Sequence, residues 1–327
     1  MIMKKKTLPI VLSSVCILIV AFILALLLGK YPISLEKLFS HDTMATRVFF
    51  TLRLPRALMA LFGGFSLGIA GIVYQTIFRN PLASPDIIGV SSGASVGAAF
   101  AILFLPATAF IVTVSAFLGG LMAVLICLAL SLLAPGRGNS TMVLSGIAVH
   151  SLCQTFLMIL KSTADPEKEL ASIEYWIMGS LSTITATKIP VHIAIILIGV
   201  AVVFILYRQI LLLSVEEEEA KMLGVPVRQM RLYAILASTL VVAAVISITG
   251  LISFIGLLAP HIARLLTGKS HLITLLLSGI FGSILLLFAD TLARNLVSGE
   301  LPVSIFTSLL GAPFLLYLLL RRNPHES

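Results

Sequence analysis

Ten apolar blocks of about membrane length follow one another along this chain, separated by short polar stretches. The pattern predicts helices over 8–28, 57–78, 87–105, 109–133, 142–160, 189–207, 232–248, 250–267, 272–293 and 303–320. The first block ends in Leu-Leu-Leu-Gly-Lys instead of a small-residue cleavage site, so it reads as a retained span. Between the first two blocks lies a polar segment from Lys30 to Arg56. Pro135-Gly136-Arg137-Gly138 marks a turn, and Lys161 to Lys188 forms a charged loop with Tyr175 and Trp176 suited to the membrane interface. The longest loop on the side of the N-terminus, 208–231, contains Glu216-Glu217-Glu218-Glu219. Pro260 interrupts the eighth block, where a kink is expected.

Composition turns this pattern into a class. Of 327 residues, 59% are hydrophobic and 11% charged, against roughly a quarter charged in soluble domains. The chain is an all-α polytopic membrane protein, folded as a single transmembrane domain over 1–327 within the lipid bilayer of the cell membrane. No stretch is polar and long enough for a soluble catalytic domain. The net charge of +8 would suggest nucleic acid in a soluble protein, but here its distribution decides. Thirteen basic residues fall on the side of the termini and nine on the other, which gives an N-in, C-in topology with no nucleic-acid partner. Cys16, Cys127 and Cys153 lie in apolar runs without ligand spacing and read as small buried hydrophobes, so no metal site is expected.

Small residues recur at four-residue spacing within two blocks. Gly64 and Gly68, then Gly71, mark one face of the second span; Gly89, Gly93 and Gly97 mark the third. Such spacing lets helix backbones approach closely in lipid, and leaves open whether some of these glycines also line a path or a subunit interface. Charges inside the blocks are scarce. Asp290 is the clearest, with Arg294 one turn later at ion-pair spacing. Proton- or ion-coupled transporters commonly use several intramembrane carboxylates or histidines, so energy for any transport is expected from elsewhere. Lone His261 lacks a second ligand. Thr267-Gly268-Lys269-Ser270 is not a phosphate loop, because position 263 is alanine and no strand precedes it. Glu217 to Gly224 is predicted as a short helix ended by Gly224, with Ala220 and Leu223 on one apolar face that suits a cytoplasmic partner.

Three stretches together resemble the FecCD/BtuC-type permeases, the membrane subunits of ATP-driven importers for iron-siderophores, haem and vitamin B12. They are RLPR with NPLASPDIIGVSSGASVGA (Arg53 to Ala98), EEEEAKMLGV (Glu216 to Val225) and GLISFIGLLAPHIARLLTG (Gly250 to Gly268), with GAPFLLYLLL from Gly311. The resemblance covers almost the whole chain. It implies a type II importer (BtuC-like) fold of ten helices and a dimer of permease subunits. Two cytoplasmic ATPase subunits, which would bind ATP and Mg, and an extracytoplasmic substrate-binding protein would complete the importer. It implies that Arg53, Arg56 and Arg294 receive acidic residues of the binding protein, and that Glu217, Glu218, Ala220, Leu223 and Gly224 form the helix coupled to the ATPase. Many members carry glycine where this chain has Glu216, which puts pairing with a foreign ATPase in doubt. The implied cargo is an iron-siderophore, with haem or cobalamin as alternatives. A secondary transporter and a free-metal-ion permease are weaker readings, and no cofactor or catalytic residue is expected in this chain.

Overall fold

The computed structural model describes residues 7–31, 43–106, 108–134, 139–268, 272–296 and 299–321. Expectations for Lys4 to Lys6, the turn at Pro135 to Gly138, Lys269-Ser270 and Arg322 lie outside the described residues. Within them the regular structure is helical. The long helices are α1 (Thr7–Leu27), α2 (Leu54–Ile77), α3 (Val90–Phe104), α4 (Ala109–Leu133), α5 (Asn139–Thr163), α6 (Ile189–Ile205), α7 (Val227–Thr249), α8 (Ile255–Thr267), α9 (Leu272–Asn295) and α10 (Val303–Arg321). Six helical runs are long and apolar enough to cross a bilayer, while α3, α6, α8 and α10 are shorter apolar helices.

Several boundaries differ from the hydropathy reading, and three of the differences bear on the sites. The polar segment before the second span is helical from Thr43, and a π turn over Phe49–Arg53 leads without a break into α2. Pro55, which has no N–H to donate, sits just beyond that widened turn. Arg53 and Arg56 therefore belong to a helix, not a loop. The third span starts later than expected, because Pro85–Ile88 is a 3-10 turn and Gly89 adopts a left-handed conformation (φ 86°) before α3. The eighth block breaks at residues 250–254, not at Pro260. Those residues are non-helical, Phe254 has φ 67°, and Pro260 lies inside the regular helix α8.

Packing follows a mirrored plan. At the centre α2 lies on α7, where the Tyr74 hydroxyl and Thr239 Oγ1 share a buried 2.9 Å hydrogen bond. Helix α2 packs on α8 and α9, as α7 packs on α3 and α4. The trio α3–α4–α5 repeats the neighbour relations of α8–α9–α10. Around this core α1 leans on α9, and Leu12, Ile17, Val20 and Ile23 on its outside are exposed. Cys16 is exposed there as well, contrary to its reading as a buried residue.

Small residues set the closest approaches. A Cβ added at Gly64 would strike the Gly282 carbonyl of α9, and one at Gly68 the Ser278 carbonyl. Gly93 and Gly97 meet the backbone of α4 at Gly119 and Ser115 in the same way. Gly71 faces the Gly256 carbonyl of α8. Pro260 cannot donate to that oxygen four residues back, so the bare backbone of Gly71 lies against an acceptor free of its usual helical bond. Gly89 stands apart from this set, since it serves the turn into α3 and not a helix face.

Candidate functional site

We call the end of the bundle that the charge distribution assigns to the outside the outer end. There the structure brings Arg53, Arg56 and Arg294 together. Helix α1 ends with carbonyls that have no partner within the helix, and guanidinium groups from two other elements supply donors. Arg53 Nη1 donates to Leu26 O (3.0 Å) and Leu27 O (2.8 Å), and its Nη2 to Tyr31 O. Arg294 Nη2 donates to Ala25 O at 3.0 Å.

Beside this cap lies a buried ionic cluster. Arg56 Nε donates to Asp290 Oδ1 at 2.7 Å, and Nη1 to Glu300 Oε2 at 2.9 Å. Arg294 Nε lies 3.1 Å from Asp290 Oδ2, which realises the one-turn pairing expected from spacing. This last contact is an ion pair whose geometry falls short of a hydrogen bond. Asp290 is fully buried, and the three arginines are about 95% buried. Glu300 is the open edge of the cluster, with its side chain 35% exposed. None of the arginines presents a bare fork at the surface. Arg56 does keep one buried donor, Nη2, without a hydrogen-bond partner among the described residues.

At the opposite end a six-residue helix spans Glu217–Met222. It closes as a Schellman motif, with Val225 N donating to Ala220 O (3.1 Å), Gly224 N to Lys221 O (2.9 Å), and Gly224 at φ 78°. Ala220 and Leu223 do not share a face, which corrects the sequence reading. Ala220 is fully buried and anchors the helix, while Met222 (80% exposed) and Leu223 (62% exposed) project from it. With only six helical residues, Leu223 sits at the cap, where the chain has already turned away from the Ala220 face. Glu217 ties the helix to α7 through Arg231 (3.3 Å) and pairs with Lys221 (3.3 Å), which also reaches Glu218 (3.1 Å). Partial burial pushes the Glu217 carboxyl up, but Arg231 and Lys221 outweigh it and hold the group below the usual glutamate range. Donating to the Glu218 and Glu217 carboxylates raises the Lys221 ammonium in turn.

Other candidates resolve into packing. Gly268 is the left-handed end of α8, whereas a phosphate loop would place its last glycine at the start of a helix. The His261 ring meets Phe314 edge-on at 5.5 Å. Among the described residues no group of His, Cys, Asp and Glu has metal-holding geometry. Glu300 is the member of the outer cluster that sequence reasoning missed. It follows the apolar ninth block by a few residues and looks like ordinary loop charge.

The FecCD transport family matches residues 17–321. The hemin transport system permease HmuU of Yersinia pestis is 36% identical, over 92% of each chain. The cobalamin import system permease BtuC of Halobacterium salinarum is 38% identical, over 84% of this chain and 73% of its own. A solved inward-facing structure of a putative metal-chelate type ABC transporter shares 32% identity and a TM-score of 0.88, covering 96% of this chain and 99% of that one. The chain belongs to the FecCD transport family. It is a multi-pass membrane permease of an ABC importer, without catalytic chemistry of its own, working with ATPase subunits and a substrate-binding protein.

Proposed function

We propose that this FecCD-family permease carries an iron-siderophore complex inward, as one of two permease subunits around a shared path. The ten apolar segments each cross the membrane, with both termini inside. ATP and Mg are bound by the partner ATPases. The observation that carries the coupled-transport part of this reading is the Glu217–Met222 helix, where Ala220 and the Arg231–Glu217 pair fix its base and Met222 and Leu223 stand clear of the chain. A fixed base with an exposed apolar tip suits a helix that passes a partner's movement into the bundle.

At the outer end, docking of the binding protein is assigned to the cluster around Arg56. An incoming carboxylate would take up Arg56 Nη2 and compete with Glu300 for Nη1, since guanidinium forks favour bidentate carboxylates. Arg53 and Arg294 hold α1 in place beside it. Haem and cobalamin are the alternative cargoes, since HmuU is a hemin transport permease and BtuC a cobalamin import permease.

The deciding experiment reconstitutes the permease in proteoliposomes with the ATPase and binding protein encoded beside it. Labelled ferric siderophores, haem and cobalamin are then offered in parallel. Accumulation of a ferric siderophore that needs both ATP and the binding protein is the expected result. Accumulation of haem or cobalamin alone reassigns the cargo. Uptake that survives an inactive ATPase but collapses with the ion gradient overturns the importer reading.

A further inference from the structure

Two of the crossings are interrupted, and their interruptions meet. From the inner end of α2 the chain returns through non-helical residues and the Pro85–Ile88 turn before α3 begins. From the outer end of α7 it descends through non-helical residues 250–254 before α8 begins. The Pro85 ring lies beside Gly256, and both sit level with Leu67, near the middle of α2. Between the two interruptions is a cavity of about 230 Å³, reached by Ser84, Asp86 and Ser91 from one side and by Ser253, Phe254 and Leu257 from the other. Non-helical backbone at membrane depth persists only where it is buried in protein or lines water.

Asp86 decides between those two cases. Its side chain is exposed to the crevice. It accepts from Ser91 Oγ through Oδ1 and from Ser84 Oγ through Oδ2 at 3.5 Å. These hydroxyls leave much of its acceptor capacity unused. Asp86 forms no ion pair among the described residues, and a carboxylate at membrane depth in that state needs water or a ligand to offset its desolvation. Three serine hydroxyls and this carboxylate make the crevice rich in acceptors and negative in sign.

We propose that this crevice is a cargo-contact site within the membrane. Asp86 makes it favour cationic, hydrogen-bond-donating portions of a cargo over anionic ones. The proposal rests on the transport reading above. A volume of about 230 Å³ admits one arm or face of a chelate, not the whole molecule.

The test uses the reconstituted complex with Cys16 and Cys153 replaced by alanine, the fully buried Cys127 retained, and Ser253→Cys introduced. A trimethylammonium-bearing and a sulfonate-bearing methanethiosulfonate serve as probes. Relative to their rates with free thiol, the cationic probe is expected to react faster by on the order of tenfold, as a unit charge a few ångströms away gives in a water-like dielectric. Asp86→Asn should remove that preference, Asp86→Glu should keep it, and modification should block ATP-dependent uptake. No reaction with either probe, while a Ser182→Cys control on the outer loop reacts, overturns the wet crevice. A preference indifferent to Asp86→Asn overturns the role of the carboxylate. A modified complex that transports at full rate places the crevice off the path. If no form of the complex shows ATP-dependent uptake, the transport reading fails, and the labelling rates still decide whether the crevice is hydrated and negative.

Discussion

Arg56 and Asp290 are joined by a 2.7 Å hydrogen-bonded ion pair between residues 234 positions apart, and both side chains are withdrawn from solvent. Among the described residues, without Asp290 the buried arginines keep only Glu300 as a carboxylate partner, and without Arg56 the buried Asp290 keeps only Arg294. Breaking a buried pair costs up to about 3–5 kcal/mol, and the remaining partner offsets part of that. Asp290→Asn and Arg56→Gln should each lower the unfolding temperature of detergent-purified permease by many degrees. Unchanged melting in both would show that water reaches the cluster. Reversing all three arginines would disturb α1, α2 and α9 together, so it cannot report on docking alone.

Glu300 offers a cleaner handle on docking. It holds Arg56 Nη1 from the exposed edge of the cluster. If a binding-protein carboxylate seeks the same guanidinium, Glu300→Gln should tighten docking, most clearly at low salt. Surface plasmon resonance between the permease in nanodiscs and its binding protein measures this. Weaker or unaltered docking would separate Arg56 from the contact.

Neighbouring glycines should respond in opposite ways to alanine. At Gly63 an added Cβ meets only side-chain atoms, the nearest being Met59 Cε at 3.4 Å and Val245 Cγ1 at 3.5 Å. Gly63→Ala should be neutral or stabilising by up to about 1 kcal/mol, since alanine is the better helix former. At Gly64 the new methyl would enter the backbone of α9 at Gly282, and overpacking costs about 1–3 kcal/mol or more. Fluorescence-detected size-exclusion profiles on heating should separate the two variants. Similar profiles would mean that α2 and α9 do not touch there.

Leu223→Asp should leave the permease folded and assembled but uncouple ATP hydrolysis from uptake, because Leu223 is exposed at the helix tip. Ala220→Asp should instead prevent folding, because it forces a charge into the fully buried anchor. Paired assays of ATPase and uptake rates distinguish them. Full coupling in Leu223→Asp would remove this helix from the transmission route.

The same helix carries a pH dependence. The Glu217 carboxyl is held below its ordinary range, so its ties to Arg231 and Lys221 contribute fully above that range and fade as pH falls through the depressed value. The group is more than a third exposed, which keeps the contribution below about 1 kcal/mol. Amide exchange in Glu217–Met222, corrected for intrinsic rates, should quicken on acidification and lose that pH dependence in Glu217→Gln. Persistence of the dependence in that variant would assign it to another group.

Hydropathy located the long helices because lipid exposure and core burial both demand apolar side chains, but it could not see backbone conformation. Gly250 to Phe254 are as apolar as a helix and yet run without helical bonds. Arg53 and Arg56 looked like loop charges because their partners, Asp290 and the end of α1, are remote in sequence. Asp290 with Arg294 was readable, since four-residue spacing on a helix is a local property. Leu223 was placed on the wrong face because the face of so short a helix depends on where its cap turns the chain. Gly224 itself signalled that cap correctly.

The cap on α1 also bears on biosynthesis. Helix α1 is made well before α9, yet Ala25 O receives its donor from Arg294, 269 residues later. At about 5–20 residues per second, that partner emerges roughly 13–54 s after α1. Arg53 reaches the Leu26 and Leu27 carbonyls early, but until Arg294 arrives the Ala25 carbonyl depends on water, headgroups or the insertion machinery. The nascent protein therefore has a late checkpoint, in which the last third of the chain anchors its beginning.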